Sequence, residues 1–186
     1  MLNSHFRAAG LPPQELEERL FEVLSRQGIK DQAMLLGLVE VMRSQMKESS
    51  GTTSAFVRFT QAEQRYQVVR DVIDATNPER PVVIWMDDVH WEPDTLDFVQ
   101  WMLDEPGAED HPKMAILTVR TEALDDRPDS AHKLEALEQR DDVTVIDLAP
   151  LSNAETTQLV RDHLYLPMEL AQDVARRAVG SPLFAI

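Results

Sequence analysis

The chain has 186 residues, 43% of them hydrophobic and 27% charged, which is enough for one domain with a sizeable core. Lys and Arg total 18 against 33 Asp and Glu, a formal net charge of -15; such a surface repels nucleic-acid phosphates and anionic lipid headgroups and argues against direct binding to either. Cysteine is absent, which excludes disulfides and thiolate metal sites, and there is neither a signal-like start nor an apolar run of about 18 residues to span a membrane, so the expected compartment is the cytoplasm.

In chain order, Leu16, Leu20, Val23 and Leu24 recur at helical spacing after Pro12-Pro13 and predict an amphipathic surface helix ending near Gly28. Met34, Leu35, Leu38, Val39, Met42 and Met46 predict a second helix, its methionines read as core filler, and the turn formers of 47–54 predict a loop. Thr60-x-x-Glu63 has capping-box spacing before a helix carrying Tyr66, Val69, Val72 and Ile73, which Thr76 to Pro81 stops.

Val82-Val-Ile-Trp-Met86 is a continuous apolar run too short for a helix, as expected of a strand buried on both faces of a parallel sheet. Met114 to Val119 and Val143 to Leu148 repeat that signal, with helical patterns at 94–104 and 130–140 between them. The alternation predicts a doubly wound α/β layer with right-handed crossovers. Ser152-x-x-Glu155 opens a further helix to about Leu164, Pro167 opens another that closes at Gly180, and Ser181-Pro182 begins one more.

Asp87 and Asp88 follow the first strand directly, at the end where open α/β sheets bind ligands. Four apolar residues followed by Asp-Asp have the form of a Walker B motif, in which the first acid holds Mg²⁺ and the second polarises the attacking water. The pair is equally compatible with plain turn formation at a strand end. His90 beside two aspartates is a weak candidate metal ligand, and Trp91, Phe98, Trp101 and Leu103 read as helix residues packed on the sheet.

The longer string Asp87-Asp-Val-His-Trp91, followed by Glu92-Pro-Asp-Thr-Leu96, resembles the Walker B signature of STAND-class P-loop ATPases, the AAA-like modules of bacterial signalling and transcription regulators. Three further segments extend the likeness: Ile116 to Glu122 resembles the sensor 1 strand, Leu148 to Glu155 the passage into the helical lid, and Val179 to Phe184 a Gly-x-Pro motif with Ser181 where Asn is usual. The resemblance implies a partial P-loop NTPase fold: a three-layer parallel sheet with flanking helices at 1–150, followed by the start of a helical lid at 151–186. It also implies Asp87 as the metal residue, Asp88 as the catalytic carboxylate that orients or activates water, Arg120 as the residue sensing the terminal phosphate, and Gly180 and Pro182 near the nucleotide, with ATP and Mg²⁺ as ligands.

No glycine of this chain is followed by Lys, so the Gly-x-x-x-x-Gly-Lys-Ser/Thr loop that cradles phosphates is missing. The resemblance then implies a piece of a larger multidomain protein, cut at both ends, with Met1 an internal methionine and the first two strands of the family's sheet outside it. The expected function is that of a parent domain that hydrolyses ATP slowly as a regulatory switch and associates with itself or a protein partner, this piece being inactive alone. The alternative is a non-catalytic ATPase-like module acting in protein-protein interaction.

Overall fold

The computed structural model describes residues 2–47, 59–104 and 111–186. Most of the loop expected at 47–54 and of the acidic run from Asp104 to Asp110 lies outside them, although Lys47 and Asp104 each end a helix. The chain divides into two compact units, Met1–Arg140 and Asp141–Ile186.

The first unit opens with a short helix α1 (Leu2–His5), followed by α2 (Pro13–Arg26) and α3 (Gln32–Lys47). Leu16, Leu20 and Leu24 of α2 are at most 2% exposed; burying each of them stabilises the fold by about 1.5–3 kcal/mol. Gly28, at φ +84, ends α2: its N–H bonds to Ser25 O at 3.0 Å and that of Ile29 to Leu24 O at 3.0 Å. This paired C-terminal closure requires a left-handed residue, which glycine supplies without strain. Asp31 Oδ1 accepts from the N–H groups of Ala33 (2.8 Å) and Met34 (3.2 Å), satisfying donors that the first turn of α3 leaves open. Met42 of α3 is fully buried, as the stripe predicts.

Helix α4 (Ala62–Thr76) begins one step from the predicted box. Gln64 rather than Glu63 reaches back, its Oε1 accepting from Thr60 N–H at 2.9 Å. There follow β1 (Val82–Met86), a 3₁₀ turn at Val89–Trp91, α5 (Pro93–Asp104), β2 (Lys113–Leu117), a second 3₁₀ turn at Thr121–Ala123 and α6 (Pro128–Glu138). The two strands pair in parallel, Val82 opposite Lys113 and Met86 opposite Leu117.

The three-layer parallel sheet is not what forms. Among the described residues the sheet has two strands, and helices dominate the structure. Ile84 and Met86 of β1 share a core with Tyr66, Val69 and Val72 of α4 and with Leu96, Phe98 and Val99 of α5. The opposite face of the sheet is open: Val83, Trp85, Met114 and Ile116 are 60, 67, 59 and 41% exposed. The unbroken apolar run of β1 therefore does not mean burial on both sides, because the second helical layer that would cover Val83 and Trp85 is not present among the described residues.

The third predicted strand fails for a related reason. Residues 143–148 form no strand, and Val145, Ile146 and Leu148 are 53, 76 and 91% exposed. β-branched residues favour a strand through pairing and same-face packing, and this segment has neither.

The second unit holds α7 (Asn153–Leu164), α8 (Met168–Ala178) and the short α9 (Pro182–Ala185). Ser152 and Glu155 form the predicted capping box: Ser152 Oγ accepts from Glu155 N–H at 3.2 Å, and Glu155 Oε2 accepts from Ser152 N–H at 2.8 Å. Val160, Ala171, Ala178 and Ala185 make a small core with Leu159, Leu166 and Val174 packed on it.

Candidate functional site

At the C-terminal ends of β1 and β2 the structure brings Asp87, Asp88 and Arg120 together. The strand pairing continues one step past the sheet, where Thr118 N–H donates to Met86 O at 3.0 Å and Val89 N–H to Thr118 O at 3.1 Å. Between these bonds the chain turns at Asp88, which sits in the left-handed region at φ 54 and ψ 41. Aspartate tolerates that conformation better than most residues with a side chain. The turn starts the 3₁₀ segment Val89–Trp91 and separates the two carboxylates.

Thr118 joins them. Its hydroxyl donates to Asp87 Oδ1 and accepts from Asp88 N–H at 2.9 Å. One side chain on β2's extension thus fixes both the metal candidate and the backbone of the catalytic candidate. Asp87 is exposed and Asp88 half-buried.

Arg120 closes on Asp88 through two bonds, Nε to Oδ1 at 3.1 Å and a terminal guanidinium nitrogen to Oδ2 at 2.8 Å. This is the bidentate fork that suits guanidinium to a carboxylate or, equally, to a phosphate. With Arg120's side chain 67% exposed and Asp88's 32%, the pair is solvent-screened and contributes at most about 1 kcal/mol to stability. In this arrangement both oxygens of the proposed general base are occupied, and the proposed phosphate sensor is their partner.

His90 lies beneath this surface, fully buried. Its Nδ1 accepts from Arg120 N–H at 3.4 Å and its carbonyl accepts from Ser130 Oγ at 3.0 Å, so it ties the site to α6. Its Nε2 is buried without a hydrogen-bond partner among the described residues. Among the described residues no three His, Asp or Glu side chains gather as a metal site, and His90 serves the interior. Trp91 is not core: it is 57% exposed, with the Arg127 guanidinium 3.8 Å from its ring centroid, a cation–π contact.

Beside the strand ends, Met86, Glu92, Tyr66 and Phe98 border a cavity of about 60 Å³. Tyr66 OH donates to Asp94 Oδ1 at 2.8 Å, and Arg65 reaches the same oxygen at 3.0 Å. Burial first, and then the bond to Asp94, push the Tyr66 phenol well above the ordinary tyrosine range, so it remains a donor.

Gly180 and Pro182 belong to the second unit. Gly180 has φ +78, its carbonyl accepts from Leu151 N–H at 2.9 Å, and a Cβ there would stand 2.5 Å from Leu151 O. Pro182 is the first residue of α9. Both therefore have structural roles within that unit.

Thr118 is the site residue that sequence reading missed. It lies 31 positions from Asp87, and no local pattern links them; only the parallel register brings residue 118 level with 87. No family model matches the chain, and no curated protein or solved structure is significantly similar to it.

Proposed function

We propose that the Asp87–Thr118–Asp88–Arg120 cluster is the metal-side half of a Mg²⁺-nucleotide site, and that the chain serves a cytoplasmic regulatory ATPase. The support is the bidentate Asp88–Arg120 pair held beside an exposed Asp87 at the ends of two parallel strands. Asp87 fits a hydrated Mg²⁺, which is commonly held by one or two carboxylates with water and phosphate oxygens completing the shell. Mg²⁺-ATP supplies the anhydride bond and the charge that the side chains must manage.

Thr118 holds one oxygen of Asp87, and the exposed carboxylate would be the group that holds a hydrated Mg²⁺ when one is bound. Arg120, paired with Asp88 here, would be the residue that binds the terminal phosphate, since a guanidinium suits phosphate as well as carboxylate. Asp88, if freed from Arg120, would orient the attacking water. Groups that cradle the remaining phosphates come from outside this sequence, since no Gly-Lys loop occurs within it. The isolated chain is accordingly a poor ATPase, and turnover in the complete site is slow, suited to a switch in signalling or transcription control.

The test is amide NMR of the folded chain titrated with ATP, with and without Mg²⁺. Weak, Mg²⁺-dependent shifts confined to Asp87–His90 and Thr118–Arg120, abolished by Asp87→Asn, support the reading. A folded chain that shows no Mg²⁺-dependent shift at millimolar nucleotide would falsify it.

A second reading, a non-catalytic interaction module, is favoured by the open apolar face of Val83, Trp85, Met114 and Ile116. Contiguous exposed apolar residues on a sheet mark contact surfaces more often than catalytic ones. Silence in the nucleotide titration would leave this reading standing.

A further inference from the structure

Helices α2 and α3 leave an open groove of about 620 Å³ between them, remote in sequence from the strand-end cluster. Phe21, Leu24, Ile29, Leu35 and Leu36 line it. Phe21 is 60% exposed although it follows the fully buried Leu20, so a large aromatic ring stands off the core face of α2. Glu17 and Glu18 precede it by four and three positions, on the same side of the helix, and both border the groove together with Asp31. Among the described residues, Lys30 is the one cation along its lining.

Glu17 shares its charge with Arg43 at 3.5 Å, and Asp31 caps α3. Glu18, three positions before Phe21 on α2, borders the groove and is exposed. An apolar floor edged by carboxylates complements an apolar stripe edged by cations, the arrangement of an amphipathic helix laid in a groove. A second copy of this chain is a poor occupant, because each copy carries a net charge of -15 and brings like charge to an acidic rim.

We propose that this groove binds a cationic amphipathic helix of a protein partner, with Phe21 as the central apolar contact and Glu18 as the principal charge contact.

The probe is a fluorescein-labelled synthetic peptide of about 18 residues, roughly five helical turns, with Leu at i, i+3, i+4 and i+7 and Lys on both flanks. Anisotropy is measured on the full chain, against a scrambled peptide of identical composition that has no apolar stripe. The patterned peptide is expected to bind, and Phe21→Ser to weaken it about tenfold or more, the loss of one well-filled apolar contact. Glu18→Lys, which leaves the core untouched, is expected to weaken it about as much by charge reversal. Circular dichroism establishes that each variant is folded.

Equal binding of the scrambled peptide, or a Phe21→Ser variant that binds like the parent, overturns the proposal in favour of bulk attraction to an acidic protein. Sedimentation of the chain alone supplies the remaining outcome: a dimer abolished by Phe21→Ser would assign the groove to a second copy and overturn the cationic partner. None of these readouts involves nucleotide, so they stand apart from the titration of the strand-end cluster.

Discussion

Asp88 occupies a backbone conformation that costs an ordinary residue roughly 1 kcal/mol or more, and it does so where its carboxylate is locked to Arg120. Thr118 sustains this geometry from the neighbouring strand. Thr118→Val keeps the side-chain shape but removes the hydroxyl that serves Asp87 and the Asp88 N–H, and is expected to cost about 1 kcal/mol. Urea unfolding would measure that loss, and the amide of Asp88 would show faster hydrogen exchange. Arg120→Gln is expected to change stability by less than about 1 kcal/mol, since the pair it breaks is largely exposed, while removing any Mg²⁺-ATP response. A large loss of stability would mean that Arg120 is chiefly structural.

Tyr66 offers a different handle at the same scale. Its phenol is raised above the ordinary range, so the neutral form is favoured by folding; that contribution is complete below the ordinary tyrosine pKa near 10 and is lost as pH rises through the folded value. Ultraviolet titration should therefore show Tyr66 ionising only in strongly alkaline solution or with unfolding. Asp94→Asn removes the carboxylate charge that accepts its hydrogen bond and should bring the transition down.

At the scale of elements, the cap of α7 carries a pH signature. The Ser152 hydroxyl, and secondarily its backbone N–H, hold the Glu155 carboxyl below the usual glutamate range. A depressed carboxylate contributes stability that is full above the unfolded glutamate value and is lost as pH falls through the folded one. Acidification below the ordinary glutamate range should thus fray the first turn of α7, seen as faster amide exchange at Glu155 and Thr156. Ser152→Ala should return the Glu155 titration toward its ordinary position.

Gly180 is more demanding. With a left-handed φ and Leu151 O 2.5 Å from any added Cβ, Gly180→Ala must displace backbone rather than a side-chain tip. A cost of about 2 kcal/mol or more is expected from conformation and clash together, read as early melting of α8 and α9.

These elements also mark what the chain reveals in advance. Ser152-x-x-Glu155 is visible because a capping box is wholly local, and β1 and β2 are visible as short apolar runs bounded by turn formers, a signal that 143–148 also carries without forming a strand. The placement of Asp87 and Asp88 follows from their position one step beyond a strand. What stays hidden is non-local: the open face behind Trp85 depends on a layer that packs or does not, and the exposed run at 143–148 depends on a partner strand. The bonds of Thr118 and the burial of His90 depend on register across 30 or more positions.

For the whole molecule, charge is the dominant long-range quantity. A net charge of -15 on 186 residues opposes compactness by self-repulsion, and salt screens it over a Debye length of about 8–10 Å near physiological ionic strength. The thermal midpoint should rise on going from dilute buffer to about 0.15 M NaCl, the range where that screening takes hold. A fall would mean that ion pairs such as Lys113–Asp74 at 2.7 Å outweigh the repulsion. No helix among the described residues is long and apolar enough to cross a membrane.

The uncovered side of the two-stranded sheet also makes the protein its own optical sensor. Trp85, at 67% exposure, emits from a watery environment and lies within reach of soluble quenchers such as acrylamide. Whatever closes over that face must shift its emission to the blue and shield it from quencher. A Trp85→Phe variant separates this response from those of Trp91 and Trp101, so occupancy of the sheet can be followed without a label and before the occupant is known.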